Sequence, residues 1–144
     1  MKVRLSSAKR PAPLVLNVLR AVSQVALGVV LVSAGVSHLT VSRAEFQAQV
    51  PTWLPLDPDF VVISSGIVEI LLGLALITLW PLRRRVGLVT ALFFVAIFPG
   101  NVNQFVNGID AFGLNSDSAR ATRLLFQPVL VLWALWSTGA LRRP

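Results

Sequence analysis

Four long apolar stretches constrain the fold of this chain more than any other feature of its sequence. They run over about residues 14–39, 60–80, 86–106 and 120–141. A helix of about 20 apolar residues crosses the hydrocarbon layer of a bilayer, and here the apolar residues fill every helix face instead of one stripe. Because the period-2 alternation of a membrane β-barrel is missing, the sequence predicts an all-α integral membrane four-helix bundle, with residues 1–144 as a single domain.

The composition agrees with a membrane environment. Apolar residues make up 55% of the 144 residues and charged residues 13%, against about 45–50% and about 25% in an ordinary soluble domain. The chain has no cysteine and one histidine, which excludes a thiolate site or a multi-histidine metal site within it. The sequence therefore predicts no metal site.

The basic residues predict the orientation of the bundle. They cluster before the first apolar stretch, between the second and the third, and at the chain end, at Lys2, Arg4, Lys9, Arg10, Arg83, Arg84, Arg85, Arg142 and Arg143. Basic residues stay on the cytoplasmic side, so we expect both termini to be cytoplasmic and residues 40–59 and 107–119 to form outer loops. Topology and anionic lipid headgroups thus account for the net charge of +7, and we expect a lipid bilayer and no nucleic acid as partner.

The first outer loop predicts a short helix followed by an irregular segment. Ser42 and Glu45 have the spacing of a capping box, and Pro51 stops the helix that they would start, so we expect a helix over about residues 43–49. Trp53 is expected at the membrane–water interface, where tryptophan is enriched. Two interpretations stay open for this loop, an interfacial hairpin or a lid over a cavity.

Glu69 is the most informative polar residue within the apolar stretches. It lies nine residues after Phe60, roughly 13 Å below the outer surface at 1.5 Å per residue, where a carboxylate costs at least about 3 kcal/mol. Gly66 and Gly73 share its helix face and permit the close approach of another helix. We expect Glu69 to point into the bundle, either as a proton donor and acceptor or as a neutral carboxylic acid hydrogen-bonded between helices.

The other predicted helices each add polar side chains to the same outer half. These are His38 in the first, Asn101 and Gln104 in the third, and Arg123 and Gln127 in the fourth. Gly28 and Gly35 lie on the helix face of His38, and we expect such glycine faces to pack within the monomer. Together the set predicts a polar pocket that opens to the outside. The alternatives are a headgroup location for His38, plain helix–helix hydrogen bonds for the amides, and snorkelling for Arg123.

Five segments of the sequence resemble the DoxX family of small four-helix membrane proteins. They are Ala34–His38, Val50–Pro55, Ser65–Gly73, Phe98–Asn101 and Arg123–Gln127. The resemblance implies a four-helix bundle in the bacterial cytoplasmic membrane with cytoplasmic ends. It also implies roles as different as thiosulfate:quinone oxidoreductase subunits, oxidative-stress complexes and, distantly, an animal receptor-assembly chaperone, so fold analogy does not choose among them.

Two functions are compatible with these residues. The first is an accessory or assembly subunit of a membrane complex, with or without a redox link, whose polar side chains bind a membrane or redox protein partner or a second copy of the chain. The second is a quinone- or lipid-binding oxidoreductase subunit, in which a quinone is the one cofactor and Glu69 and His38 are the catalytic proton carriers. In this second hypothesis the ligand is bound by Asn101, Gln104, Arg123, Gln127 and Trp53.

Overall fold

The computed structural model describes residues 13–142, which form four long α-helices and one short one. They are α1 (Leu14–Leu39), α2 (Arg43–Gln49), α3 (Pro58–Thr78), α4 (Arg83–Val106) and α5 (Asp117–Ser137). A 3₁₀ turn over Trp80–Leu82 links α3 to α4. The all-α class is confirmed, whereas the described chain has five helices instead of four, because α2 forms in the first long connection.

Local capping explains where two of the long helices begin. α3 begins at Pro58, two residues earlier than expected, because the Asp57 side chain accepts a hydrogen bond from the backbone N–H of Phe60 at 3.1 Å. α5 begins three residues earlier than expected, because Ser116 Oγ accepts a hydrogen bond from the backbone N–H of Ala119 at 3.2 Å. Both caps satisfy backbone donors that the first helical turn leaves unpaired.

The short helix α2 forms over the expected residues, but the expected capping box does not. Ser42 makes no capping hydrogen bond with its side chain. Glu45 Oε2 instead accepts a hydrogen bond, at 2.5 Å, from the backbone N–H of Phe112 in the loop between α4 and α5. A tertiary partner thus replaces the local one, and it ties α2 to the second loop.

The helices α1 and α3 pack at close range along a seam of four glycines, Gly28, Gly35, Gly66 and Gly73. A Cβ built on Gly35 would lie 2.5 Å from the carbonyl oxygen of Gly66, and one built on Gly73 would lie 2.6 Å from the carbonyl oxygen of Gly28. Backbone atoms cannot move aside as a flexible side chain can, so only glycine fits at these contacts. The prediction that the glycine faces pack within the monomer is confirmed.

The other long helices, α4 and α5, form a second closely packed pair. The two pairs meet at a core of buried apolar side chains that includes Leu27, Leu76, Phe94 and Ala134. Near the start of α1, Trp133 Nε1 of α5 donates a hydrogen bond to Ser23 Oγ at 2.7 Å. The beginning of α1 and the end of α5 therefore share one end of the bundle.

Three helical segments of the described chain are long and apolar enough to span a membrane, namely Leu14–Leu39, Pro58–Thr78 and Trp80–Val106. α5 has 21 residues, but it carries Arg120 and Arg123 in its first two turns. Large apolar side chains such as Leu71 and Leu92 face outward and are more than 60% exposed. Contiguous apolar surface of this kind is unfavourable in water and suits contact with lipid, which supports a membrane protein.

The glycine seam predicts that Gly73→Ala destabilises the protein. The added methyl group would meet the backbone of Gly28, and overpacking of this kind costs about 1–3 kcal/mol, so the midpoint of thermal unfolding in detergent falls. Gly100→Ala in α4 is the control, because a Cβ there would lie 3.6 Å from its nearest neighbour, the carbonyl oxygen of Gln49. Equal midpoints for the two variants would contradict a tightly packed seam.

Candidate functional site

A cavity of about 520 Å³ lies among α1, α3, α4 and α5, at the end of the bundle that carries α2. Its wall is mostly apolar, with Leu31, Phe93, Ile97 and Leu130 among the lining side chains. Six of the seven sequence-predicted site residues line it: Glu69, His38, Asn101, Arg123, Gln127 and Trp53. The volume falls within the range of about 300–1,000 Å³ that is typical of small-molecule sites.

Glu69 and His38 form a buried pair at the cavity wall. Helical side chains lean toward the N-terminus of their own helix, and the seam contacts show that α1 and α3 are antiparallel, so the two side chains lean toward each other. His38 Nδ1 lies 2.8 Å from Glu69 Oε2 and 2.9 Å from the carbonyl oxygen of Ala34. Glu69 Oε2 is buried and, apart from this contact with His38, has no hydrogen-bond partner among the described residues. A carboxyl and an imidazole at this distance can exchange a proton.

Three rings and a guanidinium connect the pair to α5. His38 stacks on Phe46 of α2, with ring centroids 3.4 Å apart, and Phe46 meets the ring of Phe112 edge-on at 4.6 Å. Arg123 Cζ lies 4.6 Å from the centroid of the same Phe112 ring, within the range of a cation–π contact. The short helix α2 thus bridges the histidine on α1 and the arginine on α5.

A chain of amide hydrogen bonds fixes the polar side of the cavity. Arg123 Nε donates to Asn101 Oδ1 at 3.1 Å, and Asn101 Nδ2 donates to Gln127 Oε1 at 3.0 Å. Gln127 Nε2 then donates to the backbone carbonyl of Phe94 at 2.6 Å. This series of hydrogen bonds ends on a backbone carbonyl oxygen. The orientation of the side-chain amides of Asn101 and Gln127 is therefore fixed within the protein itself.

Gln104, the seventh predicted residue, lies apart from the cavity and is 1% exposed. Its Oε1 accepts a hydrogen bond from Gln49 Nε2 at 2.5 Å. Its Nε2 donates to the carbonyl oxygens of Ile109 at 3.2 Å and Ala111 at 3.3 Å. Gln104 therefore fastens the end of α2 and the second loop onto α4.

An ion pair outside the cavity positions α2 beside the start of α3. Arg43 Nε donates to Asp59 Oδ1 at 2.6 Å, and Arg43 Nη2 donates to Asp59 Oδ2. The hydrogen bonds from the guanidinium to Asp59, together with the charge of that carboxylate, raise the pKa of Arg43 above its usual value. Both side chains are partly exposed, so the pair contributes little stability.

Trp53 follows α2, is 70% exposed and borders the cavity.

Arg120 organises the second loop in a similar way, although its guanidinium is buried. Its Nη1 donates to Asp110 Oδ1 at 2.7 Å and to the carbonyl oxygen of Leu114 at 3.0 Å. Its Nη2 donates to Asp117 Oδ1 at 2.9 Å. Two carboxylates therefore compensate the charge of this arginine.

Sequence reasoning missed Phe46, Phe112 and Gln49. Phe46 could have been found from the predicted short helix, where it lies one turn before Val50, which also borders the cavity. No sequence signal marks Phe112, because its role depends on a backbone φ of +56° that, within residues 13–142, no other residue except glycine shares. Gln49 could be recognised only through its partner Gln104, which lies 55 residues away.

The buried contacts of Gln104 predict that Gln104→Leu lowers the midpoint of thermal unfolding in detergent. The change leaves the Gln49 amide and two loop carbonyls without their partner, and each unpaired buried group costs about 1–3 kcal/mol. The control is Asn107→Ala on the same helix, because Asn107 is exposed and its side chain bonds only to Asn103. A Gln104→Leu variant as stable as this control would refute the fastening role.

Comparison with known proteins gives a family but no activity. A family model with the description "Domain of unknown function (DUF8561)" matches residues 27–138, a range that includes the whole cavity wall. No curated protein matches the chain, and no solved structure does. The resemblance to the DoxX family stays a prediction. Because the match covers well over half of the sequence, the chain belongs to the DUF8561 family.

Proposed function

We propose that the protein binds a lipid-soluble molecule in the cavity, with the polar head of that molecule beside Glu69, His38 and Arg123. One observation carries this proposal: the buried carboxyl of Glu69, in contact with His38, belongs to a residue that lines a cavity that is otherwise mostly apolar. A carboxyl at an apolar wall is costly to bury, and a ligand whose head forms hydrogen bonds with the polar residues beside it lowers that cost. The cavity favours ligand binding over a purely accessory role.

The walls of the cavity suit the apolar body of such a ligand. Leu31, Phe93 and Leu130 offer apolar surface inside. Val30 on α1 and Phe126 on α5 line the same cavity and are about half exposed on the outside of the bundle. This side of the cavity therefore adjoins the surface that would face lipid, which supports a ligand that arrives from the membrane.

The polar side of the cavity suits a head that exchanges a proton. Glu69 Oε2 and His38 Nδ1 are placed to give or take one proton, and Asn101 and Arg123 are placed to orient an oxygen atom of the head. A quinone fits these donors and this volume, and it would supply two-electron, two-proton redox chemistry when bound. A lipid with a hydroxyl or acid head fits the same groups.

We further propose that α5 is a fourth membrane span and that both chain ends lie on the cytoplasmic side of a bacterial cytoplasmic membrane. The hydrogen bond from Trp133 to Ser23 joins the end of α5 to the start of α1, and Arg20 Cζ lies 5.5 Å from the Trp136 ring. Four antiparallel crossings bring the two ends together in this way. The arginines at 83–85 lie at the same end, in agreement with the retention of basic residues inside.

Ligand binding predicts that the protein purified in mild detergent carries close to one lipid-soluble molecule per chain, detected by solvent extraction and mass spectrometry. Ala34→Phe places a ring in the cavity, and Glu69→Gln removes the carboxylate. Both changes lower the occupancy severalfold without loss of helix content in circular dichroism, because they act on the cavity and not on the seam.

Ser64→Ala is the matched control on α3. Its hydroxyl bonds to the carbonyl oxygens of Phe60 and Val61 on its own helix and does not line the cavity, so occupancy stays at the wild-type level. An empty wild-type protein, or an Ala34→Phe variant that stays fully loaded, would contradict the proposed function.

The proposed topology predicts which positions a membrane-impermeant maleimide labels in intact cells. The sequence has no cysteine, so single cysteines report without background. Val41→Cys, at a position that is 88% exposed before α2, is labelled from outside, whereas Arg84→Cys is labelled only after the membrane is permeabilised. The reverse pattern, or equal labelling of both in intact cells, would contradict the orientation.

A further inference from the structure

The three arginines at the α2 end of the described bundle differ in how their charges are compensated. Arg43 binds Asp59, and Arg120 binds Asp110 and Asp117. Arg123, which lines the cavity, forms no ion pair with any described residue. It is half-buried, and a desolvated cation without an anion is unfavourable.

Each of the acidic side chains has a contact other than Arg123. The sequence holds six acidic residues, and all lie within residues 13–142. Four have other partners named above or cap a helix: Asp57, Asp59, Asp110 and Asp117. Glu45 accepts the Phe112 N–H, and Glu69 lies against His38. An anion that binds Arg123 in this arrangement is therefore none of these six side chains.

The contacts of Arg123 leave the two terminal nitrogens of its guanidinium, Nη1 and Nη2, available to bind an anion. Nε is used by Asn101, and one side of the guanidinium is covered by the ring of Phe112. Neither Nη1 nor Nη2 makes a hydrogen bond to a described residue, so the two nitrogens present parallel N–H donors. This fork matches a carboxylate or phosphate oxygen pair, which an arginine binds with two hydrogen bonds.

We infer that the ligand of the cavity is an amphiphile with an anionic oxyacid head, held by the Nη1 and Nη2 atoms of Arg123. This inference rests on the proposed function, and it selects an acidic lipid-like molecule over a neutral quinone. The mostly apolar wall favours a molecule with an apolar tail over a free inorganic anion.

The test measures equilibrium binding of palmitate and of hexadecanol, its uncharged analogue of equal chain length, to the full-length protein in zwitterionic nanodiscs. The wild-type protein is expected to bind palmitate about tenfold or more tightly than hexadecanol, as charged hydrogen bonds imply. Arg123→Gln removes this preference, because the affinity for palmitate falls about tenfold or more, whereas the affinity for hexadecanol, which carries no charge, falls less. Arg43→Gln is the matched control, because Arg43 lies outside the cavity and already has its carboxylate, and it keeps the preference.

The outcomes separate the two proposals. Equal binding of palmitate and hexadecanol by the wild-type protein overturns the anionic head and leaves the proposed function intact. Binding of neither probe overturns the inference, and the occupancy of the purified protein then decides the proposed function. If inorganic phosphate or butyrate displaces palmitate at concentrations similar to that of palmitate, the apolar tail is not needed for binding. That result would overturn the inference of an amphiphile and indicate a free anion as the ligand. If Arg123→Gln does not fold, Arg123→Lys serves instead: it keeps the charge but lacks the pair of parallel donors, so the preference for palmitate is expected to fall severalfold. An unchanged preference in Arg123→Lys would overturn the role of Nη1 and Nη2.

Discussion

The close approach of α1 and α3 determines whether the polar pair at the cavity can exist. A Cβ built on Gly66 would lie 2.7 Å from the Cβ of His38, so any larger residue there would push the imidazole away from α3. His38 would then lose its 2.8 Å contact with Glu69. A carboxyl deep in an apolar bundle without such a partner is costly. The absence of a side chain at Gly66 is therefore a condition for the contact between His38 and Glu69.

This dependence explains why the glycine seam and the location of Glu69 and His38 at one pocket could be predicted together from the sequence, although the prediction did not include their direct contact. Glycines and polar residues at spacings of three and four lie on one helix face, and that periodicity is visible without any tertiary information. α1 ends where the apolar stretch ends, at Leu39. The contact between His38 and Glu69 then follows from antiparallel neighbours whose side chains lean toward each other. Local rules were sufficient wherever one helix face decided the outcome.

Local rules were insufficient where a loop returns to a helix. Asn101 and Gln104 lie on the same polar arc of α4, yet one faces the cavity and the other binds Ile109 and Ala111. The path of the second loop decides between these roles, and it depends on Phe112, whose left-handed backbone conformation is unfavourable for a bulky residue. In the same loop, the backbone N–H of Phe112 donates a hydrogen bond to Glu45, 67 residues away in the sequence. Glu45 therefore does not form the expected capping box with Ser42.

At the α2 end of the bundle, some charged side chains have ion-pair partners within the protein and others do not. Arg43 and Arg120 have carboxylates from residues near the surface, and their hydrogen bonds hold α2 and the loops in place. Glu69 and Arg123 both line the cavity, but they form no ion pair with each other. Glu69 contacts His38, and Arg123 donates a hydrogen bond to Asn101. Had they paired, the polar side of the cavity would be neutral and its hydrogen bonds complete. Because they are held apart, Nη1 and Nη2 of Arg123 have no hydrogen-bond partner among the described residues, and Glu69 lies at the cavity wall with His38 beside it.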